Sequence, residues 1–550
     1  MALAVFRAKA PKTLPEGLAA FALFVVVAAG LALRLRLAWQ SIDTIVRKTT
    51  PDDAYYYLQI ARNIAHGHNV TFDGETVTNG FHPLWMMLIT PVFFVVHGND
   101  MPVHIILTMG AVLGAATVFL IYVVVQRLTG SAFAALIGAG FYALHPATVA
   151  DSVNGVESAV TVFMFVVVVW RFFDLLALVD EGTSWSQARS AAFGALAGLM
   201  ILARTDMSFV VVAMILFLAI RRDPRDHWAQ YGLILGTCAL VLLPFVVWSL
   251  VANGTVVQVS GIASAWLGRN VYLANHGRAW TTQLGHSLRL TKLAFYDNFM
   301  HLYVVPKGSP IWPFAALIAF VAVLLTVAPL RGHRTSPFRS RTAVIFVPAA
   351  GLIVALVFHA GIRWHVRSWY YAPGGATLAM FIGLGVDHVV RESREIAGRF
   401  KREQAAFAVL ALQAGIAVTL LAFYRPQTQE RWLFYSGIQD IQSNILETAY
   451  WLDANTPKDA RIGAPNAGIL GYYSNRTVVN LDGVVNADAL DAIQAGRPGQ
   501  YVRDKRIEYL VDLPGALALA GVHRYTAIAT IGRMFSYFEG GQLEVRRLEN

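Results

Sequence analysis

The chain has 550 residues, of which 56% are hydrophobic and only 14% are charged. Soluble globular proteins are roughly 45–50% apolar and about 25% charged, so a soluble enzyme and a disordered chain are both excluded. The mean hydropathy of +0.51 indicates that the surplus apolar side chains face lipid. The net charge of +10 therefore concerns membrane orientation rather than nucleic-acid binding.

The N-terminal segment is basic and runs into the first apolar stretch. No small-residue cleavage site follows it, which predicts a signal anchor that stays as the first span. The single cysteine, Cys238, lies inside another apolar run, so an internal disulfide is excluded.

Eleven apolar runs are long enough to cross a bilayer of about 30 Å. They cover residues 18–36, 103–126, 131–147, 158–178, 190–204, 207–220, 229–251, 311–330, 342–361, 369–390 and 405–424. A further run at 83–96 is short, which suits an interfacial or re-entrant helix better than a span.

The distribution of basic residues decides the orientation. If the N-terminus is inside and 83–96 does not span, most of the strongly basic segments share the inner side, as the positive-inside rule requires. These segments are 7–12, 127, 189, 221–225, 331–341 and 391–402. Three large regions then lie outside, namely 37–102, 252–310 and 425–550, and the first of them carries six acids against three bases.

The tail from residue 425 has the pattern of a separate domain. Ala460–Pro465 and Thr477–Asp482 are typical of strands, with Ala467–Tyr473 as a turn or helix between them. We therefore predict a multi-pass α-helical membrane domain over 1–424 and an extracytoplasmic α/β domain over 425–550.

The sequence Thr50-Pro51-Asp52-Asp53-Ala54 predicts a helix that begins at the membrane surface. Pro51 suits the first helical position, and carboxylates near a helix N-terminus complement its dipole. Adjacent side chains on a helix point about 100° apart, so only one acid of the pair faces a given substrate atom. This pattern agrees with two alternatives. The pair is either a helix cap beside a solvated acid or a catalytic pair.

These residues resemble the membrane glycosyltransferases of the GT-C fold. The resemblance rests on Asp52-Asp53-Ala54-Tyr55, Ala61-Arg62-Asn63, Gly67-His68 and Thr78-Asn79-Gly80-Phe81-His82-Pro83-Leu84-Trp85. That superfamily includes aminoarabinose transferases, protein mannosyltransferases and arabinofuranosyltransferases, and the pattern is most similar to the last. It implies a GT-C fold and a sugar, arabinofuranose in that branch, carried on a polyprenyl phosphate such as decaprenyl phosphate.

The resemblance also implies roles for the acids. Asp52 would be the catalytic base, and Asp53 would orient it or bind a metal. One base acting in one step inverts the sugar carbon. Where relatives carry Lys before Pro-Pro-Leu, this chain has His82 before Pro83, so a neutral His82 would hold the donor phosphate less strongly.

A second acidic site is predicted at the outer start of the fourth span. Glu157 is the first choice and Asp151 the second, and either would orient the acceptor or join a metal site. A capped helix start from Asn154 to Glu157 is the structural alternative. Asp52, Asp53 and Glu157 leave a divalent cation (Mg²⁺, Mn²⁺ or Ca²⁺) open without requiring it.

The outer turn at 361–373 is basic and aromatic. Arg363 and Arg367 are predicted to bind the donor phosphate, because a guanidinium pairs well with phosphate oxygens. An aromatic belt with snorkelling arginines is the alternative. Arg34 is a further phosphate candidate, and Arg204 with Asp206 is predicted as a structural ion pair. The predicted donor-sugar contacts are Tyr55, Asn79, His365, Tyr370 and Tyr371.

The sequence therefore predicts an inverting glycosyltransferase of the bacterial plasma (inner) membrane, with its active site facing outside. Its partners would be a polyprenyl-phosphate sugar, membrane lipid and a glycan, lipid or protein acceptor, with no nucleic acid. Two other classes stay open. A transporter or flippase of lipid-linked sugars would carry charges in mid-span, and a non-catalytic surface protein would bind glycan through its tail.

Overall fold

The structure is a computed structural model that describes residues 15–183, 185–296, 299–300, 303, 338–397, 439–533 and 541–549. The predicted spans at 311–330 and 405–424 lie outside these residues. Thirteen helices precede residue 300 in the described chain. They are α1 (Glu16–Ala38), α2 (Ile42–Lys48), α3 (Asp52–Ala65), α4 (Pro83–Val95), α5 (Asp100–Thr129), α6 (Ala132–Leu144), α7 (Pro146–Ser152), α8 (Ser158–Asp180), α9 (Gln187–Ala203), α10 (Ser208–Arg221), α11 (Trp228–Asn253), α12 (Val259–His276) and α13 (Trp280–Phe295).

The membrane part continues with α14 (Phe338–Val357), one turn of π-helix at Phe358–Ile362, a 3₁₀ turn at Ser368–Tyr371 and α15 (Ala372–Ala397). Six helices of the described chain are long and apolar enough to cross a membrane, and a bent pair, α6 with α7, makes a seventh. The protein is therefore a multi-pass membrane protein, as its composition predicted.

The bend between α6 and α7 measures 64° and falls at His145 and Pro146. A proline cannot donate a backbone hydrogen bond and keeps the residue before it out of the helical region, so the helix cannot continue straight. The sequence predicted an outer turn after residue 147. The structure instead has the buried helix α7 there, which carries Asp151.

The break between α9 and α10 depends on Arg204. Its backbone is extended (φ −163°, ψ 120°) and is followed by a 3₁₀ turn at Thr205–Met207. The two predicted spans at 190–204 and 207–220 correspond to α9 and α10, which have only 17 and 14 residues. The Arg204 side chain is 2% exposed and so needs counter-charges at this break.

The predicted short helix at 83–96 is present as α4, with His82 as its N-cap residue. Trp85 is 1% exposed, and its indole N–H donates to the Gly155 carbonyl oxygen at 2.9 Å. The Trp85 side chain therefore packs inside the helix bundle and not at the level of the lipid headgroups.

The tail is an α/β domain built on one mixed sheet, and the two strands and intervening helix predicted from the sequence are confirmed. Its elements are α16 (Gln439–Asn455), β1 (Arg461–Ala464), α17 (Gly468–Tyr473), β2 (Thr477–Asn480), α18 (Ala487–Gln494), α19 (Pro498–Asp504), β3 (Tyr509–Asp512), a 3₁₀ turn at Ala516–Ala520, β4 (Tyr525–Ile531) and β5 (Leu543–Leu548). The strand order is β2-β1-β3-β5-β4. β1 runs parallel to β2 and β3, and β5 runs antiparallel to β3 and β4.

The tail packs directly onto α3, and one hydrophobic core runs from the membrane helices through α3 into the sheet. The Tyr55 ring lies 5.8 and 5.7 Å from the rings of Tyr472 and Tyr473. At the rim, Arg461 donates two hydrogen bonds to Glu75, at 2.6 and 2.9 Å. The first outer loop and the tail are therefore one packed unit.

The beginning of α17 is capped by a residue far away in the chain. Ala467 precedes the helix and provides no side-chain cap. The backbone N–H groups of Gly468 and Ile469 instead donate to the Asp52 carboxylate, at 3.1 and 2.7 Å. Since the first amides of a helix have no partner inside it, this carboxylate satisfies them.

Replacing Gly468 with alanine tests this docking. An added Cβ would overlap the carbonyl oxygen of Asp52 and lie 2.9 Å from its Oδ1. We expect Gly468→Ala to lower the free energy of unfolding by about 1–3 kcal/mol, as overpacking does. The control is Gly515→Ala, since Gly515 has helical angles and open space around it. Equal unfolding midpoints for the two variants in detergent would contradict the docking described.

Candidate active site

The ends of the helices on the side of α3 and the tail enclose a cavity of about 160 Å³. The lining segments at α3, before α4 and at the start of α12 belong to regions that the charge pattern predicted on the outer side. The lining residues come from α3, the turn before α4, the start of α8, the α9–α10 break, the start of α12, the turn after α14, and the tail: Asp52, Asp53, Tyr56, Tyr57, Gly80, Phe81, His82, Val156, Glu157, Arg204, Thr205, Asp206, Gln258, Ser260, Gly261, Ser264, His359, Arg363, His365, Arg367, Trp369, Tyr370, Asn466, Asp482, Val484 and Val485.

The two acids of α3 have different surroundings. Both oxygens of Asp52 accept amide hydrogen bonds from α17, and its own N–H donates to Gln442 Oε1 at 2.8 Å. Burial raises the pKa of Asp52 to about 7, although these amides oppose the rise. Asp52 therefore fixes the tail to α3 at the edge of the cavity.

Asp53 lines the same cavity and makes no side-chain hydrogen bond to any described residue. Burial raises the pKa of Asp53, the positive charge of Arg367 opposes that rise, and Glu157 adds to it. Of the two acids, Asp53 has both carboxylate oxygens available to an incoming group.

A buried ion cluster forms one wall. Arg204 donates from Nη1 to Glu157 at 2.8 Å and from Nε and Nη2 to Asp206 at 2.9–3.0 Å. His359 Nε2 lies 2.8 Å from Asp206 Oδ2. The guanidinium of Arg204 holds the pKa of Asp206 well below its usual range, despite burial. This cluster joins α8, the α9–α10 break and the π-helix turn.

Aromatic side chains complete that wall. The Arg204 guanidinium carbon lies 4.1 Å from the centre of the Tyr370 ring, a cation–π distance. The Tyr57 hydroxyl donates to Glu157 at 3.0 Å and accepts from the backbone N–H of His82 at 3.0 Å. Glu157 is thus held by an arginine and a tyrosine.

His82 faces Glu157 with Nε2 3.7 Å from the carboxylate. Burial lowers the pKa of His82, so the imidazole is neutral near pH 7. Its Nδ1 is buried and has no hydrogen-bond partner among the described residues. His82 is therefore a polar but uncharged member of the site.

Arg363 and Arg367 are cations without a carboxylate partner in the described chain. The Arg363 guanidinium packs against Gly261, where an added Cβ would lie 2.9 Å from Nη2. Burial and the two flanking arginines hold the pKa of His365 well below its usual range, so His365 is neutral. The positive charge facing the cavity from this turn therefore comes from the two arginines.

The structure does not bring Arg34 or Asp151 to the cavity. Arg34 is fully buried and donates to Ser152 Oγ at 3.1 Å and to four backbone carbonyl oxygens, including those of Gly30 and Ala143. Neither phosphate binding nor snorkelling applies, because all its donors are used inside the bundle. Asp151 is buried on α7 and accepts from Tyr303.

Three of the predicted sugar contacts also lie outside the lining. Tyr55 packs on the tail, and its hydroxyl lies 3.0 Å from Thr50. Asn79 is buried and joins the turn before α4 to Ser249 and Val259, at 2.7 and 2.9 Å. Tyr371 is buried beside the cavity wall. The lining includes the other two, His365 and Tyr370.

Several lining residues were not candidates in the sequence. Tyr56 and Tyr57 follow the acidic pair by one turn, so their helical spacing from Asp53 was the available signal. His359 lies in an apolar run, and its pairing with Asp206 spans 153 positions. Gln258 had no local signal, because it reaches the cavity only through the packing of α12.

The donors present do not fit a resident divalent cation. In the part of the chain that the structure describes, no three His, Cys, Asp or Glu side chains are grouped closely enough to hold one. Asp52 is used by two amides and Glu157 by Arg204 and Tyr57. A hard cation needs several free oxygens, and these carboxylates do not offer them together.

Comparison with known proteins agrees with this architecture. Residues 81–250 match the family model of dolichyl-phosphate-mannose-protein mannosyltransferase. Residues 430–545 match a domain of unknown function, DUF8728. A comparison with the sequences of curated proteins gives no match.

Solved structures show the same arrangement of helices. ArnT from Cupriavidus metallidurans, bound to undecaprenyl phosphate, matches with a TM-score of 0.57 and 13% identity over 95% of this chain and 97% of that one. The Archaeoglobus fulgidus oligosaccharyltransferase matches with a TM-score of 0.57 and 15% identity over 91% of this chain and 70% of that one. The chain has the GT-C fold. A mycobacterial arabinofuranosyltransferase, AftD, has a TM-score of 0.48 and 14% identity over 98% of this chain and 40% of that one, which supports no inference about the sugar.

Removing Arg204 from the GT-C bundle tests the buried ion cluster. Arg204→Gln would leave Glu157 and Asp206 buried without their cation, so we expect a loss of about 3–5 kcal/mol in the free energy of unfolding. The matched control is Arg127→Gln, because Arg127 is 44% exposed in its pair with Asp174. Exposed pairs contribute about 1 kcal/mol or less. Comparable losses for both variants, measured by denaturation in detergent, would argue against the cluster.

Proposed function

We propose that the chain is an inverting glycosyltransferase that moves a sugar from a polyprenyl-phosphate donor to an acceptor. The observation that carries this proposal is one cavity that holds a carboxylate, Asp53, and two arginines, Arg363 and Arg367, none of which has an ion-pair partner among the described residues. The fold supports the donor class, since the ArnT neighbour holds undecaprenyl phosphate and the archaeal AglB neighbour holds a dolichol-phosphate with an inhibitory peptide.

In this mechanism Asp53 is the general base. An acceptor hydroxyl gives its proton to the Asp53 carboxylate as its oxygen bonds to the anomeric carbon of the donor. The bond from that carbon to the phosphate oxygen breaks in the same step, and the lipid phosphate leaves with the electron pair. One displacement from the face opposite the phosphate inverts the carbon.

The two arginines stabilise the departing group. A polyprenyl-phosphate sugar carries one negative charge on its phosphate, and loss of the sugar adds a second. Donors fixed before the reaction stabilise charge that develops in the transition state. Arg363 and Arg367 supply planar guanidinium donors for those oxygens, while neutral His82 and His365 can add hydrogen bonds without charge.

The geometry favours exchanging the roles that the sequence predicted for the acidic pair. Asp52, the predicted base, has both oxygens occupied by the amides of α17, whereas Asp53 makes no hydrogen bond within the described chain. Glu157, the predicted second acid, then acts by holding Arg204 and Tyr57 in place rather than by binding the acceptor directly.

The site faces the outside of the plasma membrane in this proposal, because the described basic residues Arg189 and Arg221 lie at the ends of α9 and α10 away from the cavity. The sugar we propose is arabinofuranose on decaprenyl phosphate, on the resemblance of the motifs around Asp52 and Asn79 to arabinofuranosyltransferases. Transport of lipid-linked sugars gains no support from Arg34, the buried charge of α1, since its donors are all used by five acceptors inside the bundle. A direct comparison of decaprenyl-phosphate arabinofuranose with polyprenyl-phosphate mannose as donors tests the choice of sugar.

Matched substitutions of the two acids test the choice of base. We expect Asp53→Asn to lower sugar transfer by about 10²- to 10⁴-fold, the usual contribution of a general base, with an unchanged unfolding midpoint. Asp52→Asn should mainly lower the unfolding midpoint, because an amide cannot accept from both N–H groups with the charge of a carboxylate. Full transfer by folded Asp53→Asn, with loss in folded Asp52→Asn, would restore Asp52 as the base.

The pH profile gives a second test. Because burial raises the pKa of Asp53, the base is protonated and inactive up to a higher pH than an ordinary aspartate. We expect kcat/KM to rise with pH, with its acidic limb clearly above pH ~4. Arg367→Gln removes the positive charge that opposes this rise, so the limb should move to higher pH. An acidic limb at the same pH in Arg367→Gln as in the wild type would show that the charge of Arg367 does not affect the pKa of Asp53.

A further inference from the structure

The cavity has two chemically different sides. The side built by the α9–α10 break and the turn after α14 carries Arg204, Arg363 and Arg367. The second side consists of α3, the start of α12 and the tail, whose lining residues include carboxylates and amides but no lysine or arginine, although Arg363 also packs against Gly261 of α12. A phosphate donor is attracted to the first side, so the second side is left for the other substrate.

Asp482 is the tail residue that defines the second side. It follows β2 in a turn, and Oδ1 accepts from the Val484 backbone N–H at 3.0 Å. It makes no ion pair within the described chain. Burial raises the pKa of Asp482 to about 7, and the nearby charges of Asp53 and Asp512 add to the rise. Neither the tail nor α3 contributes a lysine or arginine to the lining, so an anionic group beside Asp482 has no cation on these two elements to pair with.

Asn466 lies beside it and is held in one orientation. Its backbone N–H donates to Asp512 Oδ2 at 2.7 Å, and its side-chain amide donates to the same carboxylate at 3.0–3.2 Å. With its nitrogen used in this way, the side-chain carbonyl oxygen of Asn466 remains as an acceptor at the cavity.

Gln258 is an independent sign that something polar binds here. It is only 6% exposed and lines the cavity as the N-cap residue of α12. Its Nε2 is buried without a partner, and the carboxamide makes no hydrogen bond to any residue that the structure describes. An unpaired buried amide costs free energy unless a ligand satisfies it.

We propose that Asp482, Asn466 and Gln258 form the acceptor site and that the acceptor presents a neutral, hydroxyl-rich sugar there. Sugar hydroxyls donate to the carboxylate and to the Asn466 carbonyl, and they both donate to and accept from the Gln258 amide. An acidic sugar would be repelled by Asp53 and Asp482. This inference rests on the proposed function and names the acceptor class for that same cavity.

The neighbouring contacts explain why this half-site needs the tail. Gly80, in the turn before α4, approaches the carbonyl oxygen of Val484 so closely that an added Cβ would overlap it. The turn after β2 is therefore pressed against the membrane domain beside His82. Asp482 and Asp53 line one cavity only in this docked arrangement, so the acceptor site exists in the full chain and not in either part alone.

The test measures binding rather than turnover. The purified full chain in detergent, with undecaprenyl phosphate present, is titrated with a neutral arabinofuranose hexasaccharide and, separately, with hexagalacturonate. We expect Asp482→Asn to raise the Kd of the neutral hexasaccharide about tenfold or more, the effect of losing a charged acceptor. The Kd of undecaprenyl phosphate should not change. Wild-type protein should bind hexagalacturonate at least tenfold more weakly than the neutral glycan.

The matched control is Asp488→Asn, on the same domain, since Asp488 is 59% exposed and outside the cavity. If Asp482→Asn does not fold, Gln258→Met replaces it, because that side chain has no partner in the described chain to lose, and it should raise the same Kd several-fold. An unchanged glycan Kd in the folded variant, an equal change in Asp488→Asn, or tight hexagalacturonate binding would overturn the acceptor site.

A different measurement, the binding of undecaprenyl phosphate, tests the proposed function itself. If undecaprenyl phosphate binds equally well to wild type and to Arg367→Gln, the donor assignment fails, whatever the glycan titration gives. If the donor assignment holds and the hexasaccharide does not bind the wild type, the acceptor inference alone is overturned.

Discussion

The geometry of the cavity depends on the need of one buried guanidinium for counter-charges. Arg204 lies at a break between two apolar helices, almost without exposure to solvent. An isolated cation in that position would be very costly, and Glu157, Asp206 and the ring of Tyr370 together compensate it. These partners come from three different parts of the bundle. The requirement to surround Arg204 therefore sets where α8, the α9–α10 break and the turn after α14 meet.

The opposite wall is set by a second long-range contact, between the first outer loop and the tail. The Asp52 carboxylate satisfies the free amides at the start of α17, over a separation of 416 positions along the chain. Tyr55 and Tyr56 pack on the same helix and on the residue before it. Since α17 begins two residues after Asn466, this capping contact also brings Asn466 and the turn with Asp482 to the cavity. The tail is in this respect a wall of the site and not an appended module.

The two walls together explain how neighbouring acids in the sequence come to differ. Asp52 and Asp53 project about 100° apart on α3, so when Asp52 meets the tail, Asp53 faces the cavity and Arg367. A carboxylate that is buried but not hydrogen-bonded has a raised pKa and can accept a proton, which is the property that a general base requires. Arg363 and Arg367, which have no carboxylate partner in the described chain, line the same cavity.

The sequence by itself determined the membrane class, the location of the helix beginning at Asp52, the short helix at 83–95 and the strands around residues 461 and 477. These features depend on composition and on local periodicity, which can be determined from each segment of the sequence alone. The clustering of basic residues likewise predicted which loops share a side, and the structure places α3, the turn before α4 and the start of α12 at one cavity. The role of each polar side chain, in contrast, could not be predicted from the local sequence. Arg34 and Arg363 were both candidates for a phosphate in the sequence, yet Ser152 and four carbonyl oxygens of the bundle use every donor of Arg34, whereas Arg363 has no carboxylate partner in the described chain. Only the tertiary structure decided this, because most partners of Arg34 lie a hundred or more positions away along the chain. The local sequence therefore does not indicate which contacts satisfy a buried polar group.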